Sequence, residues 1–149
     1  VPDVASAERQ IENLLYRYAE CVDDGDFDGV SVLFAHADYH LSHPGAGRTR
    51  ADSVGATMRA SVQTYDGSPR TKHVMTNAII EVDDDAGTAT ARSYFTVLQA
   101  TEGLSLQPII TGRYADRFEC VDGTWRFADR SITIEQIGDL SAHLRPGFL

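Results

Sequence analysis

The chain reads as an α+β fold: three helices laid over one face of a strongly curved, mixed but mostly antiparallel sheet. Two observations predict it. Apolar residues recur with a helical period through "IENLLYRYAECV" and again around Val54 to Tyr65, then switch to a period of two from "TKHVMTN" onward. Three turn signals, "DDDAG", "TEG" and "VDG", divide that second half into four long strand candidates. Helices first and hairpin-joined strands afterwards is the order in which helices cover one face of a curled sheet.

In the first helix Ile11, Leu14, Leu15, Tyr18 and Val22 share a stripe from about Ala5 onward, and "DDGD" ends it. Ser6 followed by Arg9 is a poor capping box, so the start stays open. Phe27, Val30, Leu33 and Phe34 share a face over a short second helix. "ADYHLSH" reads as a strand halted by "PGAG", and "PGAGRTR" as a turn, because it lacks the glycine spacing of a phosphate cradle. From Ala51, Val54, Met58, Val62 and Tyr65 mark a third helix that "DGSPR" breaks. The strands that follow are "TKHVMTNAIIEV", "GTATARSYFTVLQA", "LSLQPIITGRYADRFEC" and "GTWRFADRSITI". Several are apolar at both parities, with Val74, Ile80 and Val82 opposing Met75 and Ile79. A sheet buried on both faces needs a second cover, and the expected cover is another copy of the chain, in a homodimer or homotrimer. "SAHLRPGFL" fits neither period and is expected to lie across a neighbour or over a pocket mouth.

At 149 residues the chain fits one domain, residues 1–149, with a sizeable core. Its 22 acidic against 13 basic residues, a formal charge of −9, suit solubility and oppose a phosphate backbone, so nucleic acid is excluded as the expected partner. No apolar run approaches bilayer length and the first residues do not resemble a signal peptide, so the expectation is a cytoplasmic protein without a membrane partner. Cys21 and Cys120 stand far apart with no CxxC, and are expected as free thiols.

Among residues that could carry chemistry, Asp23 lies in the last turn of the first helix at the edge of its apolar stripe, where the macrodipole disfavours a carboxylate. It is either a polar helix end or a partner for something buried. His73 shares a strand face with Met75, Asn77 and Ile79. It is a packed core imidazole, a metal ligand, or a base; as a base it must be neutral, with a carboxylate fixing its tautomer. In "HADYH", His36, Asp38 and His40 occupy alternate positions, but same-face neighbours on a strand stand about 6.5 to 7 Å apart, too far for one ion without a bulge, so no metal is expected. Tyr18 sits on the buried stripe, where its hydroxyl wants a polar partner. Arg130, in "WRFADRSI", points either to solvent or into a cavity.

Together, "IENLLYRYAECVDDGDFDGVSVLF", "TKHVMTN" and "GRYADRFECVDGTWRFADRSI" resemble the SnoaL-like branch of the NTF2-like superfamily over residues 5–135. The resemblance implies a cystatin-like cone of three helices closed by a strongly bent sheet around an apolar pocket. Family members include scytalone dehydratase and other dehydratases, a dehydrochlorinase, polyketide cyclases, ketosteroid isomerase and the non-catalytic small subunit of ring-hydroxylating dioxygenases. By that likeness His73 is the base, Asp23 orients it and Tyr18 polarises a substrate oxygen, with Arg130, Asn77, Met75 and Met58 expected around the substrate. A tyrosine at position 18, where the dehydrochlorinase has lysine, speaks against that reaction. The implied activity is a cofactor-independent, dehydratase-like lyase or isomerase acting on a small, mostly apolar carbonyl or hydroxy compound. A non-catalytic binding protein or dioxygenase small subunit, and a polyketide cyclase, are the alternatives.

Overall fold

The computed structural model describes residues 4–42, 48–50 and 54–148. Helix α1 spans Ala7–Asp24 because its stripe of Ile11, Leu14, Leu15, Tyr18 and Val22 is buried while Ser6, poor in sequence terms, still accepts the Arg9 N–H at 3.3 Å. Its end is built more tightly than its start. Gly25 adopts a left-handed φ of 74°, the Gly25 N–H bonds Val22 O at 3.0 Å and the Asp26 N–H bonds Cys21 O at 2.8 Å, which is a Schellman closure. A Cβ on Gly25 would lie 2.0 Å from Gly67 O, so only glycine admits the approach of the 67–69 turn. That closure fixes where Asp23 emerges.

Helix α2 covers Phe27–Leu33, capped by the Asp26 carboxylate on the Gly29 N–H at 2.9 Å, and α3 covers Val54–Ser61. The strands are β1 (Asp38–Ser42), β2 (Arg48–Arg50), β3 (Thr71–Asp83), β4 (Thr88–Thr101), β5 (Leu104–Val121) and β6 (Thr124–Ile137). They form one open sheet in the order β2-β1-β6-β5-β4-β3, with β1 parallel to β6 and every other pair antiparallel. The expected mixed, mostly antiparallel α+β architecture is therefore what the chain adopts. "RTR" differs from expectation: it pairs with β1 as a strand, having no periodicity to betray it. Residues 51–53, where the third helix was expected to begin, lie outside the described residues.

The concave face of the sheet carries the core. On β4 the buried residues alternate strictly, Ala89, Ala91, Ser93, Phe95, Val97 and Gln99, and α1 packs across this side against β3 and β6. Small side chains at one end of β4 and Phe95 further along fit a sheet that curls around the helix. Cys21 and Cys120 are free and half-buried. Among the described residues no helix is long and apolar enough to cross a membrane.

Candidate active site

The C-terminal end of α1 and the start of β3 meet through one carboxylate. Asp23 Oδ1 accepts from the Thr71 hydroxyl at 2.8 Å and from His73 Nδ1 at 2.6 Å, while Oδ2 accepts the His73 backbone N–H at 2.8 Å. Thr71 and His73 share strand parity, so a single acceptor serves both side chains and the backbone between them. Burial pushes the Asp23 carboxyl up, but the hydrogen bonds and charge of His73, with Thr71, outweigh it and hold the group below its ordinary value. An ionised acceptor at Nδ1 leaves the proton of a neutral ring there. Nε2 has no hydrogen-bond partner among the described residues and keeps its lone pair.

Tyr18 stands one turn and a half before Asp23 on α1 and meets His73 edge to face, ring centroids 6.3 Å apart. Its hydroxyl lies 2.9 Å from that of Tyr39 on β1. Either hydroxyl can donate, and Tyr114 shares the same Tyr18 oxygen; with Tyr39 as the donor, the Tyr18 O–H is left for an incoming acceptor. Burial, together with the neighbouring Tyr18, raises both Tyr39 and Tyr114 well above the ordinary phenol value, which keeps them protonated.

Beneath this layer lies an ion pair that spacing alone did not suggest. Arg130 is wholly buried, its Nε and Nη2 donate to Asp116 at 2.7 and 2.8 Å, and its guanidinium lies 4.4 and 3.9 Å from the Tyr18 and Tyr114 ring centroids. Nη1 has no partner among the described residues. Burial opposes the cation, yet Asp116 raises the Arg130 pKa, while burial raises that of Asp116 against the pull of Arg130. Arg130 therefore touches the site through the Tyr18 ring, with most of its donors committed to Asp116.

Met75 lies inward opposite Phe95, and Met58 borders the same core from α3; both are half-buried. Asn77 is placed differently. It sits in a β-bulge between Thr76 and Ile79 with a left-handed φ of 42°, is exposed, and lines a cleft with Ile79, Arg92, Tyr94 and Arg113 that includes neither His73 nor Asp23. The extra residue reverses parity, so Ile79 pairs with Arg92 on the outer face, and Ile80 and Val82 take the inner one. The expectation that Asn77 and Ile79 follow His73 on one face is corrected by that bulge.

The "HADYH" row is also rearranged. His36 lies in a turn ahead of β1, whereas His40 Nε2 bonds Asp129 Oδ2 at 2.9 Å across the parallel β1–β6 pair. Asp38, His40 and Asp129 bring ligand atoms within 4.8 Å of one another, with the Arg117 guanidinium 4.0 Å from Asp129. Sequence reasoning missed Thr71, Tyr39 and Asp116. Thr71 was within reach, being two residues before His73; Tyr39 and Asp116 depend on non-local pairing.

An open cone of three helices on a curved, mostly antiparallel sheet defines a recognisable class of small α+β proteins. The chain belongs to the SnoaL-like domain family, whose model matches residues 3–131. No curated protein matches it. Among solved structures it is similar to Rv3472 of Mycobacterium tuberculosis, a protein of unknown function, at 26% identity and a TM-score of 0.66 over 87% of this chain and 72% of that one. It shares its fold with a candidate scytalone dehydratase from Novosphingobium aromaticivorans, at 20% identity and a TM-score of 0.68 over 89% and 86% of the two chains. The same holds for the beta subunit of a candidate aromatic-ring-hydroxylating dioxygenase from that organism, at 17% identity and a TM-score of 0.70 over 92% and 95%.

Proposed function

We propose that the chain is a cofactor-independent lyase or isomerase of the dehydratase type, acting on a small, mostly apolar carbonyl or hydroxy compound. The observation that carries this reading is the Asp23–His73 contact at 2.6 Å, which holds one ring nitrogen as donor and leaves the other as base. Nε2 of His73 takes the proton alpha to a carbonyl, and Asp23 stabilises the imidazolium that forms. The Tyr18 hydroxyl, edge-on to His73, hydrogen-bonds the developing enolate oxygen. Return of that proton to another carbon completes an isomerisation; its delivery to a departing β-hydroxyl releases water and completes an elimination. Proton and electron pair balance within the substrate and the imidazole, and the family's dehydratase-like neighbours support the assignment.

A second reading, a non-catalytic binding or buttressing protein, is favoured by a different observation: Tyr18 and Arg130 already spend hydrogen bonds on Tyr39 and Asp116 inside an aromatic core. The two separate in one experiment. A panel of cyclic ketones and β-hydroxyketones is incubated with the protein in D2O, and α-proton exchange and water loss are followed by NMR. The enzyme reading expects acceleration that falls about 100-fold or more in His73→Gln. Equal rates with wild type, His73→Gln and no protein, across compounds shown to bind, would leave the binding reading standing.

A further inference from the structure

After β6 the chain does not fray. Four consecutive carbonyls of residues 141–144 are each taken by a donor from the body of the fold: Gln63 Nε2 reaches Ser141 O at 2.7 Å and Leu144 O at 2.6 Å, Tyr65 Oη and Gln99 Nε2 reach Ala142 O at 2.7 and 3.0 Å, and the Gln63 N–H reaches His143 O at 2.8 Å. The Arg145 N–H returns a bond to Ser61 O at 2.8 Å. Three side chains from two segments, Gln63 and Tyr65 ahead of β3 and Gln99 on β4, tie these residues to the fold. Gln99 is 1% exposed and lies opposite Thr71, the residue that holds Asp23. The strap therefore docks beside the Asp23–His73 contact.

One side chain on the strap is poorly suited to permanent burial. His143 Nδ1 is buried without a hydrogen-bond partner among the described residues, and so is Oε1 of the strap's own anchor, Gln99. A neutral imidazole tolerates that position. An imidazolium there would have a buried N–H with no acceptor, which costs more than the same group in water.

We infer that residues 140–145 form an acid-released strap over the candidate active site, with His143 as its trigger: neutral and docked near neutral pH, protonated and undocked in acid. The charged groups that act on His143 are His73 on β3 and Asp23 at the end of α1; of the groups nearby on the strap and its anchor, the Tyr65 hydroxyl is spent on Ala142 O and Arg145 Nε on Val62 O. Burial, and then the charge of His73, push the His143 pKa from 6.5 down to about 4, and the Asp23 carboxylate offsets only part of this. The sign follows. A docked-state value below the undocked one makes docking fully stable above pH 6.5 and progressively weaker down to about pH 4. Linkage over that interval makes the open population about 30-fold larger at pH 5 than at pH 7.5. The device does not depend on catalysis: it controls access to the dyad whether the ligand there is transformed or only held.

The test is amide hydrogen exchange on the full chain, corrected for the intrinsic pH dependence of exchange, in wild type and in His143→Gln. In wild type the protection of the Gln63 and Arg145 amides is expected to fall about 30-fold from pH 7.5 to pH 5, while Phe95 at the centre of the sheet keeps its protection. In His143→Gln the strap amides are expected to show no such dependence. The same decline in both proteins, or none in wild type, overturns the inference. Should the variant strap fail to dock at pH 7.5, the wild-type ring decides: an NMR midpoint for His143 near 4 upholds the trigger, and one at 6.5 overturns it.

Discussion

Asp23 accepts three hydrogen bonds on two oxygens, and its removal exposes what each one does. Asp23→Ala strands the Thr71 hydroxyl and the His73 N–H in a largely buried site, so unfolding stability should drop by about 1–3 kcal/mol in urea melts. Asp23→Asn keeps one acceptor and should fold, but it removes the charge. Because the native carboxyl is held below its ordinary value, its contribution is present above the unfolded-state pKa and disappears as pH falls through the lower folded-state value. The wild type should therefore lose more stability than Asp23→Asn between pH 5 and pH 2.5, in urea melts at both pH values. Equal losses would mean that the carboxylate is not preferentially stabilised in the native state. Arg130 behaves differently, since its partner is buried with it. Arg130→Leu leaves Asp116 as an unpaired charge and should cost about 3–5 kcal/mol, whereas Arg130→Met combined with Asp116→Leu should recover most of that loss.

At the scale of elements, the legible part of the chain was the part governed by local period. The helical stripe of α1 and the three turn signals between β3 and β6 placed five of the elements close to where they lie, because burial of one face imposes 3.6 or 2.0 directly. Asp23 and His73 could be proposed as partners, but their contact depends on the Schellman closure and on the approach of Gly67 to Gly25, neither of which has a period. β2 was unreadable for the same reason. The bulge at Asn77 is the instructive miss: a run of alternating residues conceals one extra, and every inward assignment beyond it reverses. Asparagine is among the few non-glycine residues that enter the left-handed region readily. Asn77→Val should thus destabilise by about 1–2 kcal/mol in chemical denaturation, although the side chain is exposed. Asn77→Gly should be close to neutral. Equal, negligible effects would show that the left-handed geometry is not required at this position.

At the scale of the whole molecule, the reversal of register has a consequence for assembly. Val74, Ile79 and Tyr94 lie together on the outer face, 39%, 47% and 46% exposed, paired across β3 and β4 with Thr96, Arg92 and Thr76. Around them, Arg113 stacks on Tyr94 at 5.0 Å and pairs with Glu135 at 2.6 Å, while Arg92 reaches Glu81 at 3.8 Å. An apolar centre with a rim of both charge signs is self-complementary: a copy turned over on it can place its acids against these arginines. Helix α1 packs against β3 and β6 on the concave side and α2 packs on α3, so among the described residues no helix shields the outer face. We expect two or three copies to associate through this face. Light scattering at micromolar concentration should return a multiple of 16.3 kDa, and Ile79→Asp should return the single-chain mass while leaving the circular dichroism spectrum unchanged. A single-chain mass for the wild type would sink the expectation and would leave the outer face as ordinary solvated sheet.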